Sequence, residues 1–196
     1  NPDPSMNASY HYFTHGLFSP SNERFVFFHR WVNEKMQVQT RMISSNLDGN
    51  DLFVFPTSGM VSHIAWMNDQ YILAYARTEK YGDKYHLFQD KMDSYVIIGE
   101  GDLKSDGHPQ FSPDKEWIIT DTYPDRFRRQ HLVIYDTQRE KSCTIGRFHS
   151  PFRFTGELRC DLHPRWSRDE SIVCFDSAHT GIRSLCTMRI LWEDFV

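Results

Sequence analysis

One short pattern recurs four times along this chain: a histidine, two residues, Phe or Trp, a polar turn and then an apolar run. The copies are His15-Gly16-Leu17-Phe18, His63-Ile64-Ala65-Trp66, His108-Pro109-Gln110-Phe111 and His163-Pro164-Arg165-Trp166. They lie 48, 45 and 55 residues apart (15 to 63, 63 to 108, 108 to 163). A period of that length, with four strand-like runs in each unit, is the mark of propeller blades. A unit of this kind cannot bury both faces of its sheet alone and needs neighbours on either side. Equivalent positions in successive blades also surround one channel, so the four histidines are expected to converge.

The third unit shows the expected strands most clearly. They are Pro109-Gln110-Phe111, then Glu116 to Asp121, then Gln130 to Asp136, then Ser142 to Gly146. The turn Ser112-Pro113-Asp114-Lys115 after the first strand has a physical logic: Pro presets φ, and Asp bonds its own local backbone. Comparable turns follow Phe18, Trp66 and Trp166, and Asn46-Leu47-Asp48-Gly49-Asn50 reads as a hairpin. No segment has a helical period. The reading is all-β: one domain over residues 1–196, with four blades of four antiparallel strands at about 10–60, 61–106, 107–157 and 158–196. Four blades are few for a closed ring. The expectation is therefore an N-terminally incomplete propeller, completed by missing blades or a second copy.

Composition narrows the function classes. A net charge of -4 with no basic stripe leaves no footprint for nucleic acid. No run approaches the roughly 20 apolar residues of a membrane span. Arg126, Arg128 and Arg129 read as a solvated rim. The four cysteines, Cys143, Cys160, Cys174 and Cys186, have no zinc-type spacing and read as buried free thiols, in line with a reducing compartment.

In a propeller the first strand of each blade begins, and the second ends, on the same face. That face should gather His15, His29, His63, His108, His163 and His179 with Arg30, Arg77, Arg159, Asp121, Asp161, Asp176 and Tyr123. Imidazole is both a common metal ligand and a base poised near neutral pH. His108, Asp161 and His163 together make a mixed nitrogen and oxygen donor set that suits manganese or a related divalent ion. Asp121 and Asp176, each 13 residues after a repeat histidine, read as locks within the blade.

The phrases Gly107-His108-Pro109-Gln110-Phe111-Ser112-Pro113-Asp114 and Leu162-His163-Pro164-Arg165-Trp166-Ser167-Arg168-Asp169 resemble TolB-type, WD40-like propeller repeats. With Thr120 to Asp125, Arg159 to Pro164 and Cys174 to His179, the wider pattern is similar to the oligogalacturonate lyase group. The resemblance implies a seven-bladed ring, of which this chain supplies the C-terminal portion. It implies a divalent metal, Mn2+, held at His108 and His163, with His63 as the base. Where the lyases have a further ligand histidine this chain has Asp161, and where they have Gln it has Leu158. The implied reaction is β-elimination on an acidic oligosaccharide, an oligouronide, with Tyr123 as a second catalytic group and His15, Arg30, Arg77 and Arg159 holding substrate. It implies a cytoplasmic location if the lyase likeness rules, and a periplasmic one if the TolB likeness rules. The alternative function is a non-catalytic TolB-like propeller that binds a saccharide or a protein partner.

Overall fold

Apolar alternation with polar turns gives strands, and strands are what the chain forms. The structure, a computed structural model, describes residues 4–7 and 10–194. Its only helical elements among those residues are three short 3-10 turns, at Pro4–Met6, Gly156–Leu158 and Trp192–Asp194. No helix among the described residues is long and apolar enough to cross a membrane.

The strands make four antiparallel sheets, each with its strands in chain order. The first holds β1 (His11–Phe18), β2 (Arg24–Val32), β3 (Val38–Asn46) and β4 (Phe53–Val54). The second holds β5 (Val61–Trp66), β6 (Tyr71–Thr78), β7 (Gly82–Gln89) and β8 (Tyr95–Ile97). The third holds β9 (Gln110–Phe111), β10 (Trp117–Asp121), β11 (Arg129–Asp136) and β12 (Lys141–His149). The fourth has β13 (Arg165–Trp166), β14 (Ile172–Ser177) and β15 (Ser184–Arg189), three strands among the described residues. These are the expected blades, in the expected order.

By their contacts the sheets fall into two compact units, residues 1–62 with 66–98, and residues 63–65 with 99–196. Within the first unit Val26, Phe28, Met42, Phe55, Ile72, Leu73, Tyr85 and Phe88 are buried. Phe55 meets Phe88 edge-on at 5.8 Å between ring centroids. Arg24 adds a polar clamp. Its Nε donates to Asp90 at 2.6 Å, its Nη1 to Asp51 at 2.9 Å and its Nη2 to Ser44 at 3.0 Å. A half-buried guanidinium with an acceptor at each of its three nitrogens is the arrangement that makes such a charge tolerable.

The second unit is built around Ile119, Leu132, Ile134, Leu162, Val173, Phe175 and Ile190. Trp192, just after β15, packs on Trp117 at 5.0 Å and stacks on Trp166 at 5.8 Å, so one indole covers both sheets of this unit. The turns after the repeat aromatics behave as their sequence requires. Ser112 Oγ donates to Asp114 at 2.6 Å and Ser167 Oγ to Asp169 at 2.6 Å, and the residues at the left-handed corner, Lys115 and Glu170, have φ of 70° and 59°. Successive turns are also stitched together. The Asp114 amide donates to Glu170 at 2.8 Å in this unit, as the Ser21 amide donates to Asp69 at 2.9 Å in the first.

Two expectations need correcting. The cysteines are all free, but only Cys160 is buried and Cys143 is exposed, because β12 turns that side of its strand to solvent. Arg128 is not a solvated rim residue. Its guanidinium donates to the Ser150 carbonyl at 2.9 Å and the Ser150 hydroxyl at 3.0 Å, stapling the following loop.

Candidate metal centre and its carboxylate partners

The second unit brings together seven of the residues singled out by the repeat: His63, His108, Asp121, Tyr123, Arg159, Asp161 and His163. Three imidazoles stand in file. The His63 and His108 rings are 4.0 Å apart and the His108 and His163 rings 3.8 Å apart, centroid to centroid. The reason is the repeat itself. His63 lies within β5, and His108 and His163 lie two residues before β9 and β13, so the recurring position in the sequence becomes a recurring position in space.

Asp121, at the end of β10, organises the file. Its side chain is 1% exposed and takes four contacts from two repeat units. One oxygen accepts the His108 backbone N–H at 2.7 Å and the His108 Nδ1–H at 2.8 Å. The other accepts the His163 backbone N–H at 3.0 Å and lies 3.0 Å from His108 Nδ1. Burial by itself would push this carboxyl up, but the His108 imidazole and the two backbone donors outweigh it and hold the group below the usual carboxylate range. Gly107 is what lets the chain pass so near. A Cβ there would sit 1.9 Å from the Asp121 carbonyl oxygen, inside any possible contact distance.

The hydrogen bonds also select a tautomer. A carboxylate only accepts, so His108 carries its proton on Nδ1 and has its lone pair on Nε2. His163 Nδ1 donates to the Asp161 carbonyl at 3.3 Å, which selects the same form. Burial pushes the His163 imidazole below its ordinary value, and the neighbouring His108 adds to that. Both effects favour the neutral ring that a metal needs.

His108, Asp161 and His163 each offer a ligand atom, and these atoms all lie within 4.8 Å of one another. Asp161 supplies an independent sign that the set is a site. Its Oδ2 accepts from Arg159 Nε at 2.7 Å, whereas its buried Oδ1 has no hydrogen-bond partner. A buried carboxylate oxygen left without a donor is costly unless something else satisfies it. A divalent cation held by this set would do so, and the carboxylate behind His108 is the outer partner that metal-bound histidines commonly have. The residues therefore fit a divalent metal. His63 is not in the ligand group.

Arg159 lies with its guanidinium 4.5 Å from the centre of the Tyr123 ring, clamped by Asp161, and its charge is held more firmly than usual by that carboxylate against the opposing effect of burial. Tyr123 is pushed up to about 12, first by burial and then by the nearby charge of Asp106. It is therefore a neutral phenol at any ordinary pH, able to donate a proton and unable to act as a standing base.

Asp106 was missed from the sequence. It lies in a loop with no periodicity, two residues before the repeat histidine, and no spacing rule marks it. His63 Nδ1 donates to its Oδ1 at 3.0 Å. Beside Asp176, read as a lock equivalent to Asp121, His179 pairs with Ser177 Oγ at 2.8 Å.

The other expected residues lie in the first unit. His15 is exposed on β1, with φ of 57°, and stacks on Phe28 at 4.8 Å. Arg30 sits over the same ring at 5.4 Å, and its buried Nε has no partner. Arg77 is engaged by Asp83 through two bonds, of 2.6 and 2.9 Å. His29 belongs to a different arrangement from the one expected. Arg41 Nε donates to its Nδ1 at 2.9 Å, and its Nε2 is 2.8 Å from His11 Nδ1.

Blade-like antiparallel sheets, each with a repeat histidine in or just before its first strand, define the class: a β-propeller protein. Within it, the fold is that of the TolB-type and oligogalacturonate lyase propellers. A structure named as TolB from Agrobacterium tumefaciens matches with a TM-score of 0.62 and 15% identity, over 91% of this chain and 58% of that one. TolB from Acinetobacter baumannii matches with a TM-score of 0.58 and 11% identity, over 92% and 54%. An oligogalacturonate lyase in complex with manganese matches with a TM-score of 0.55 and 10% identity, over 96% and 67%. The chain thus spans a little over half the length of the TolB structures. No family model and no curated protein matches the sequence.

Proposed function

We propose that the second unit forms a divalent-metal centre at His108, Asp161 and His163 and that the protein is a saccharide lyase acting on an oligouronide. The observation that carries this reading is the buried, partnerless Oδ1 of Asp161, a carboxylate grouped within 4.8 Å with two imidazoles of the same tautomer. The manganese-bound lyase among the similar structures supports it.

A divalent ion held there would draw charge from the substrate carboxylate and so acidify the C–H beside it. The chain's own residues supply the rest. His63 takes the C5 proton through the Nε2 lone pair. The C–H electrons become the C4–C5 double bond, the C4–O bond breaks, and the leaving oxygen receives a proton from the Tyr123 hydroxyl. Arg159, fixed by Asp161 and lying on Tyr123, presents positive charge to the substrate acid. General-base transfer of this kind is typically worth about 10²–10⁴-fold. The location that goes with this reading is cytoplasmic.

The second reading is a TolB-like propeller that binds a saccharide or protein without chemistry. It is favoured by Leu158, an exposed residue with no donor atom at the position that resembles the lyases' Gln, and by the engagement of Asp161 with Arg159. One experiment separates the two. Wild type and the His108→Ala/His163→Ala double variant are loaded with manganese, desalted, assayed for metal and then given oligogalacturonate. Stoichiometric manganese in the wild type alone, with growth of the unsaturated product's ultraviolet absorbance, is the expected result. Manganese in neither protein overturns the centre. Manganese without product leaves the binding reading.

A further inference from the structure

We infer that Asp106 is the positioning residue of His63: it fixes the imidazole in the one tautomer that places the lone pair on Nε2. This deepens the proposed lyase reading and rests on it for the role of His63, though the geometry stands without it. The Nδ1 to Oδ1 distance is 3.0 Å, and both side chains are largely shielded, at 17% and 21% exposure. A carboxylate offers no proton, so the bond forms only with the hydrogen on Nδ1. In water a neutral imidazole does not hold that form by preference. Here it is imposed, just as Asp121 imposes it on His108 and the Asp161 carbonyl on His163. All three rings in the file thus carry their protons on the same side.

The loop that carries Asp106 is anchored on both sides by its own residues. It starts at Gly99, where a Cβ would sit 2.6 Å from Leu103 Cγ, so only glycine lets Leu103 fold back on it, and Leu103 is buried. The Leu103 amide donates to the Gly99 carbonyl at 2.8 Å, and Asp102 accepts the Ser142 amide at 2.8 Å. It ends at Gly107, which lies against the Asp121 backbone, and at His108, whose amide Asp121 holds. Asp106 is therefore pinned from both sides within a few residues. That is how a group must be held if it is to orient another. After His63 takes a proton, the same carboxylate faces the new imidazolium and stabilises it, so its effect falls on the transition state more than on substrate binding.

The test does not need a substrate. Nitrogen-15 spectra of histidine-labelled wild type and Asp106→Ala are recorded, with His63→Gln to assign the ring. His63 is expected as the Nδ1–H form in the wild type and mainly as the Nε2–H form in Asp106→Ala. The His108 signals should be unchanged, which shows that the loop still folds. The inference is overturned if wild-type His63 is the Nε2–H form, or if its tautomer survives removal of Asp106. If Asp106→Ala does not fold, Asp106→Asn replaces it, and a mixed tautomer is the expected result. On manganese-loaded protein with oligogalacturonate, Asp106→Ala should lose about 10²-fold or more in kcat with little change in KM. An equal loss expressed in KM would overturn the positioning role. Wild type that shows the expected tautomer but no elimination would sink the lyase reading and leave the assignment of Asp106 intact.

Discussion

Replacing Asp121 by Ala is the perturbation whose size the structure allows to be worked out. The carboxylate is almost wholly buried and serves three donors: the backbone N–H groups of His108 and His163 and the His108 ring N–H. Each bond to a charged group contributes about 1.5–3 kcal/mol, and a buried donor left unpaired costs about 1–3 kcal/mol. Two effects reduce the sum. A buried charge no longer has to be desolvated, and His163, held at φ of 44°, can relax once its amide is released. The expected loss is about 3–5 kcal/mol in the second unit, in the range found when one partner of a buried pair is removed. Urea unfolding followed by tryptophan fluorescence reads it, since Trp117, Trp166 and Trp192 all lie in that unit. A loss under about 1 kcal/mol would refute the reasoning that Asp121 is the lock between its two sheets. The sign of the pH dependence follows too. The folded value is depressed, so this stabilisation is complete above about pH 4, the unfolded carboxyl value, and is lost as pH falls through the folded one. With the His108 tautomer no longer enforced, manganese binding should weaken by about 10–100-fold in whatever variant protein stays folded.

Other outcomes are expected on the same grounds. Gly107→Ala should cost about 3 kcal/mol or more in urea unfolding, because the added methyl would meet backbone atoms rather than a side chain that can move. Leu132→Ala, at the centre of the second unit's core, should cost about 2–5 kcal/mol. The first unit should lose stability as pH falls below about 6.5. Burial, Arg41 and His11 all lower the folded value of His29, so the unfolded chain takes up the proton first, and His29→Gln should flatten that dependence in thermal melts from pH 7 to pH 5. Manganese should raise the melting temperature of the wild type in a concentration-dependent way and leave His108→Ala/His163→Ala unmoved.

Much of the site was legible because it is periodic. His63, His108 and His163 are marked by their place in the repeat, and Asp161 by its place beside the last of them. Asp121 was marked by its offset from His108, though as a lock; that it also orients the ring needed coordinates. Asp106 was invisible. Its loop has no pattern, and its meeting with His63 joins positions 43 residues apart. His29 misled for the opposite reason. The repeat places it at the end of a strand, but it lies within β2, where β1 and β3 supply His11 and Arg41 as partners.

Sequence alone determined the class of architecture. Alternating strands, Ser-x-Asp turns and a period near 50 residues leave little but stacked blades, since each blade can be covered only by another. It also determined which residue types recur in or just before the first strand of each unit. Tertiary structure decided what those residues do. Whether a histidine binds a metal, donates to a carboxylate or waits for a proton depends on which ring nitrogen carries hydrogen. That is settled by acceptors brought in from other strands and loops: Asp121 for His108, Asp106 for His63 and the Asp161 carbonyl for His163. Periodicity can place an imidazole, but only the atoms packed around it can choose its tautomer.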